Sequence, residues 1–255
     1  MNTRRIMAAI LTVLVVATVY VPTPVAAQPQ PTLNASDTDI YVFPGENFTI
    51  SYTFGNSGDE TGLRPILEII VPINITFNSA TYMDLPVKYN VYEIPASGVL
   101  TYRLPGSQTS RTVRGAPGSK LYVLSPLLNS IPPGLEPPPV KISLGLKEDI
   151  LVNATFTVNA TLVFLYGSDP LDNPDVDPPS ESQQVTTTVH PTLIKLEKDV
   201  SSGWTDTRVP TGPNYAFNYS IRVDVAPRLF EGVNVTDMVP PEVQFVKLIS
   251  VKNLT

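Results

Sequence analysis

Lys198 sits at an address that does not suit a charge. Across Thr192 to Val200, the residues Thr192, Ile194, Leu196, Lys198 and Val200 share one strand parity, while Lys195, Glu197 and Asp199 share the other. If Ile194 and Leu196 face a core, the ammonium faces it too, and an unpaired buried charge is costly. Asp237 has the same standing, because it shares its parity with Val233 and Val235. Two opposite charges on apolar parities are expected to meet and hydrogen-bond. The alternative is a lysine at a strand end that snorkels to water. A second group, Asp169, Asp172, Asn173, Asp175 and Asp177, falls within nine positions. Closely spaced Asp and Asn can supply the oxygen ligands of calcium. The run lacks the EF-hand glycine and terminal glutamate, and Pro170, Pro174 and Pro178 interrupt it, so a solvated acidic hinge is the competing reading.

Asn-x-Ser/Thr occurs at Asn34, Asn47, Asn74, Asn153, Asn159, Asn218, Asn234 and Asn253, eight of 15 asparagines. These are acceptor sites for N-glycosylation in a host that carries it out. Thr-rich alternating strands also generate the spacing unaided, since residues i and i+2 share a face. Trp204 lies in a polar turn and is the best single residue for stacking on a ligand, whereas Tyr52 and Tyr219 alternate with polar residues and read as core. For catalysis the inventory is poor. His190 is the sole histidine, it abuts Pro191 in a linker, and the chain has no cysteine. A lone linker histidine reads as structural rather than as part of a Ser-His-acid site, and neither an enzyme nor a resident cofactor other than calcium is expected.

The elements that must position these residues come in two copies. Phe48, Ile50, Tyr52 and Phe54 alternate with Thr49, Ser51 and Thr53, and Phe217, Tyr219, Ile221, Val223 and Val225 alternate with Asn218, Ser220, Arg222 and Asp224. A Val-Pro phrase follows each, Val71-Pro72 in the first copy and Val239-Pro240 in the second. Alternation with period two is the mark of a strand with one face in a core and the other in water. Repetition at nearly the same spacing predicts a duplicated β-domain. Further strands are expected at Leu67 to Val71, Ile73 to Phe77, Val87 to Ile94, Val99 to Leu104 and Val152 to Phe164. Many short strands, turn signals between them and no helical periodicity predict an all-β fold of tandem immunoglobulin-like β-sandwich domains.

Export is predicted from the first residues. Arg4 and Arg5 precede an uncharged run from Ile6 to Tyr20, and Val25-Ala26-Ala27 supplies small residues before Gln28. This is the pattern of a secretory signal peptide over residues 1–27, and the apolar run is shorter than the ~20 residues that span a bilayer. The mature chain then has no membrane span. A sandwich domain is expected over 28–168, an acidic Pro-rich linker over 169–191, and a second repeat over 192–255 that lacks its closing strands, as a fragment of a longer protein would. The net charge of −6 without a basic cluster argues against nucleic acid and anionic membranes. Without cysteine, each domain relies on its own core or on another crosslink.

The segments Leu193-Ile194-Lys195-Leu196-Glu197-Lys198-Asp199-Val200, Phe217-Asn218-Tyr219-Ser220-Ile221, Val233-Asn234-Val235-Thr236-Asp237-Met238-Val239-Pro240 and Val243-Gln244-Phe245 stand in one order. Together they resemble the domain-of-unknown-function-eleven repeat over roughly residues 192–251. The first copy departs from it, with Ile69 where Asp237 stands and no lysine before the Phe48 strand. The resemblance implies an immunoglobulin-like sandwich of exported bacterial and archaeal surface proteins, arranged in tandem and without enzymatic activity. Some related surface sandwiches join a first-strand lysine to a last-strand asparagine with help from an acid. By that resemblance Lys198 would be the lysine of an isopeptide bond, Asp237 the acid, and the asparagine would lie beyond Thr255. The function expected is a non-catalytic stalk or adhesion module of an exported cell-surface or envelope protein. Its partners would be neighbouring repeats, other surface proteins or glycans. The alternative is a carbohydrate-binding or enzyme-accessory module of a larger secreted protein, motivated by Trp204 and the tyrosines.

Overall fold

The computed structural model describes residues 28–125, 128–152, 154–200, 218–226, 234–239, 241, 244–245 and 247–252. The expected signal peptide lies outside the described residues. The chain opens with β1 (Pro31–Ala35), β2 (Asp39–Val42), β3 (Asn47–Asn56) and β4 (Gly62–Val71), followed by β5 (Ile75–Tyr82), β6 (Leu85–Pro86) and β7 (Tyr89–Glu93). A hairpin of β8 (Val99–Arg103) and β9 (Ser110–Arg114) comes next, then β10 (Lys120–Leu124), β11 (Ser130–Ile131), β12 (Val140–Leu146) and β13 (Phe156–Tyr166). Last are β14 (Ser180–Glu181), β15 (Val185–Pro191), β16 (Ile194–Val200) and β17 (Tyr219–Val225). Two sheets form the sandwich, a five-stranded one in the order β1-β3-β12-β5-β6 and an eight-stranded one. The latter runs β2-β15-β13-β4-β10-β7, with β11 added to β4 and β14 to β13.

The alternation in β3 does what its period requires. Ile50, Tyr52 and Phe54 are buried against Val140, Ile142 and Leu144 of β12 and against Leu67, Ile69, Leu162 and Phe164 of the facing sheet. Burying aliphatic and aromatic side chains of this size contributes about 1.5–3 kcal/mol each. Gly62 allows the closest approach in this core, since a Cβ there would stand 2.3 Å from the Phe164 ring. β1 runs antiparallel to β3 with Leu33 opposite Phe54, and β16 runs antiparallel to β17 with Leu196 opposite Val223.

The structure corrects the expected two-faced character of β4 and β13. Leu67, Ile69 and Val71 face the main core, but Ile66 and Ile70 on the other face are buried as well. They form a second core with Val163 and Leu165 of β13, and with Tyr102, Leu104 and Val113 from the β8–β9 hairpin and its turn. The hairpin therefore lies over the outer face of the eight-stranded sheet as a third layer. Sheets covered on both faces carry continuous apolar runs, as in Leu162-Val163-Phe164-Leu165. Arg64 adopts a left-handed backbone (φ 52°) at the start of β4, and its guanidinium donates to the Gly106 carbonyl at the hairpin tip at 3.2 Å.

Several expected boundaries differ, since β4 already begins at Gly62 and β5 runs from Ile75 to Tyr82, and two of the differences bear on the site. The strand expected from Val152 starts at Phe156, where its ladder with β15 begins, because Leu151 and Val152 enter a turn closed by Ala154 N–H on the Leu151 carbonyl. The linker expected over 169–191 contains β14 and the whole of β15. β15 lies between β13, antiparallel, and β2, parallel, and it buries Thr187, Val189 and Pro191. Pro191 is tolerated because it ends the strand, where no further ladder donor is required. Among the described residues, no helix is long and apolar enough to cross a membrane.

Candidate functional site

The ladder β16–β17 sorts its side chains by face. Ile194 stands opposite Val225, Leu196 opposite Val223 and Lys198 opposite Ile221. On the other face Lys195 stands opposite Asp224, Glu197 opposite Arg222 and Asp199 opposite Ser220. The structure brings Lys198 and Asp237 together. The ammonium donates to Asp237 Oδ1 at 2.9 Å and to Oδ2 at 3.1 Å, and it lies 4.4 Å above the Tyr219 ring. Tyr219 also donates its hydroxyl to Asp237 Oδ2 at 2.6 Å. That hydrogen bond, followed by the one from Lys198, holds the Asp237 carboxyl below the usual carboxylate range. The pair is not buried as its strand parity implied. The Lys198 side chain is 47% exposed and that of Asp237 25%. An isopeptide reaction needs a deprotonated amine, and burial is the means by which a sandwich supplies one. The geometry described here is an ion pair with a phenol attached.

The acidic run is a fold of its own rather than an open hinge. Asp172 Oδ2 accepts from Gly167 N–H at 2.8 Å, Asp169 Oδ1 from Leu171 N–H at 2.9 Å, and Asp177 Oδ2 from Asn173 N–H at 2.7 Å. Asn173 Oδ1 in turn accepts from Asp175 N–H at 3.0 Å. The run is anchored on the β8–β9 turn. Gln108 N–H donates to Asp175 Oδ1 at 2.8 Å, and the hydroxyls of Ser107 and Thr109 both donate to the Pro174 carbonyl. At its other end, Glu60 accepts from Asp169 N–H. These oxygens serve main-chain donors, and among the described residues no three His, Cys, Asp or Glu side chains are grouped to hold a metal ion.

Sequence reasoning missed a polar cluster beneath the hairpin. Glu68, on β4, is only 3% exposed and faces the second core. Arg111 of β9, 12% exposed, brings its Nε to 2.5 Å from Glu68 Oε1, an ion pair without hydrogen-bond alignment, and its Nη2 to 2.5 Å from Glu181 Oε2 on β14. Tyr102 of β8 donates its hydroxyl to Glu68. Burial pushes the Glu68 carboxyl above its usual range, and the opposing pull of Arg111 and Tyr102 does not cancel this. Arg111 therefore ties one hairpin to two other elements, the buried acid of β4 and the short strand β14. The signal was the one applied to Lys198. Glu68 stands between Leu67 and Ile69 in an otherwise apolar run, sharing parity with Ile66 and Ile70.

Among the glycosylation candidates, Asn34 and Asn47 are exposed on the five-stranded sheet, and Asn218 and Asn234 are exposed beyond the sandwich. Asn74 and Asn159 are half-buried. The Asn159 amide oxygen accepts from the Thr186 hydroxyl at 2.9 Å, and that of Asn47 from Asn78 Nδ2 at 2.9 Å. Asn153, Asn253 and Trp204 lie outside the described residues. His190 belongs to β15, not to a linker. It stacks on Tyr41 with ring centroids 4.8 Å apart, and its Nε2 is 2.9 Å from Asp39 Oδ1.

No protein-family profile matches the chain, that of the repeat it resembles included, and no curated protein matches it. Solved structures do. The BcpA major pilin subunit of Bacillus cereus is 12% identical with a TM-score of 0.37, the match covering 68% of this chain and 44% of that one. AvmM, which catalyses macrocyclization in alchivemycin A biosynthesis, is 10% identical over 65% of this chain and 89% of its own, with a TM-score of 0.33. The sixth cohesin of Acetivibrio cellulolyticus scaffoldin B, solved with a dockerin, is 10% identical over 65% of this chain and 99% of its own, with a TM-score of 0.34. The chain thus spans less than half the length of the pilin subunit it matches. A pilin, an enzyme and a cohesin at the same level of likeness assign no function, and the all-β sandwich stands on the strand pairing itself.

Proposed function

We propose that this chain is a non-catalytic spacer or adhesion module of an exported cell-surface or envelope protein. In this reading residues 28–191 form one sandwich and 192–255 belong to a second immunoglobulin-like repeat. One observation carries it, the path of the backbone. β2 and β15 are parallel, so the chain passes into the sheet beside one end of β15 and leaves from the other. Only Thr192 and Leu193 separate β15 from β16, with Thr192 N–H bonded to the Val42 carbonyl and Ala226 N–H to that of Leu193. A module whose ends lie at opposite poles, joined to the next without slack, adds length to a chain and keeps its direction.

The test uses the absence of cysteine. Asp84, in the β5–β6 turn, is almost fully exposed. An Asp84→Cys variant expressed in the native host is expected to react with a membrane-impermeant maleimide on intact cells. Labelling only after lysis would refute export to the surface. A glycan array showing reproducible hits that Trp204→Ala abolishes would replace the spacer with a carbohydrate-binding module.

A further inference from the structure

We infer that the pairing of β2 with β15 is a mechanical clamp, which makes the first sandwich resist force along the chain far better than force applied across it. This rests on reading the chain as a spacer between surface elements, where tension runs from one end to the other. Tension draws β2 backward from its Asp39 end and β15 forward from its Pro191 end. Because the two strands are parallel, those pulls slide one along the other. Their ladder, Thr188 with Asp39 through Pro191 with Val42, is then loaded lengthwise, and its bonds must break together. An antiparallel terminal pair with both ends at one pole would open one bond at a time.

The contacts at this pair are concentrated as such a role requires. Beyond the ladder, Thr188 N–H donates to the Thr38 carbonyl at 2.7 Å and Thr192 N–H to the Val42 carbonyl at 2.9 Å, extending the pairing ahead of β2 and past the end of β15. The Thr187 hydroxyl donates to the Asp37 carbonyl at 2.9 Å. On the outer face His190 joins Asp39 and stacks on Tyr41, two cross-strand links from one side chain. β15 is held on its other edge by β13 over the five pairs from Phe156–Val189 to Ala160–Val185. Past the clamp, Lys195 bonds Glu46 Oε2 at 2.9 Å and lies 4.3 Å above the Phe43 ring, so the next ladder is fastened to the loop that follows β2. β1 adds to the effect, since it is loaded lengthwise against β3 by the same pull.

The experiment is single-molecule pulling of the full chain between pairs of introduced cysteines, which the cysteine-free sequence allows. Handles at Gln28→Cys and Glu197→Cys load the clamp along the strands. Handles at Gln28→Cys and Gln184→Cys place both pulls at the same end of β2 and β15 and peel them apart. The unfolding force in the first geometry is expected to exceed that in the second by about twofold or more, since forced unfolding reports the barrier met along the pulling direction. Tyr41→Ser combined with His190→Ser, both on the outer face, is expected to lower the force in the first geometry only, with the thermal melt nearly unchanged. Equal forces in the two geometries would overturn the inference, as would a loss of the same size in both. Either result would leave the surface-labelling test of the spacer reading standing.

Discussion

Replacing Arg111 with methionine isolates the energetics of the hairpin cap. The substitution keeps an unbranched apolar stem against the second core and removes the cation that faces Glu68, an acid left 3% exposed. Removing one partner of a buried pair costs about 3–5 kcal/mol, because the remaining charge is uncompensated. For a domain of this size each kcal/mol lowers Tm by about 2–4 °C, so a drop on the order of 10 °C is expected near neutral pH. The pH dependence carries the diagnosis. The folded-state pKa of Glu68 is raised above its ordinary value of 4.5, chiefly by burial. A raised carboxylate stabilises the fold when protonated, and that contribution is lost as pH rises through the folded pKa. Without Arg111 the rise is greater. The deficit of Arg111→Met is therefore largest at high pH and narrows as pH falls toward the elevated pKa, the reverse of ordinary acid denaturation. Thermal melts from pH 5 to 8 check this. Glu68→Gln in the same background is expected to restore most of the loss, because it removes the stranded charge and keeps an acceptor for Tyr102. A deficit that is constant across pH, or a double variant no better than Arg111→Met alone, would refute the argument.

Gly62→Ala places a methyl group 2.3 Å from the Phe164 ring and is expected to cost about 1–3 kcal/mol in a denaturant melt, the usual penalty of overpacking. Addition of EDTA is expected to leave the melting temperature unchanged, since the oxygens of the acidic run already serve main-chain donors; a lowered melt, restored by calcium, would place the ion there. Intact-mass spectrometry of a chain extended past Thr255 to carry a closing-strand asparagine is expected to show no loss of ammonia from an isopeptide bond, because the Lys198 amine is half exposed; such a loss, abolished by Lys198→Ala, would establish the crosslink.

What could be read in the residues was set by how local the signal is. The alternation of Phe48 to Phe54 depends on one strand and its two faces, and β3 follows it. Strand parity pairs Lys198 with Asp237 because both stand in alternating sequence, but their burial depends on elements that parity does not supply. Glu68 was overlooked for a related reason. Alternation in Leu67, Ile69 and Val71 leaves the opposite face of β4 to solvent by default, and only the docking of a hairpin some 40 residues later turns that face into a second core. β15 was hidden by composition. Val185 to Pro191 has three successive threonines between its two valines and ends in His-Pro, so its membership of the sheet becomes visible only when β2 and β13 are seen on either side of it.

The charged face of β16–β17 also governs which strands are permitted to pair. In the observed register Lys195 opposes Asp224 and Glu197 opposes Arg222. A slip of two residues one way sets Lys195 against Arg222, and a slip the other way sets Glu197 against Asp224 while its one attractive pair, Asp199 with Arg222, only offsets that repulsion, so neither register that keeps the aliphatic face intact matches the two attractive pairs of the observed one. A one-residue slip would instead turn every side chain to the wrong face. Directly opposed charges are worth roughly 0.2–1 kcal/mol per pair, of either sign. The corresponding face of β3 carries Thr49, Ser51 and Thr53, which offer β16 no counter-charge. Similarly patterned strands on one chain can exchange partners during folding, and the charges of β16 and β17 bias each toward the other.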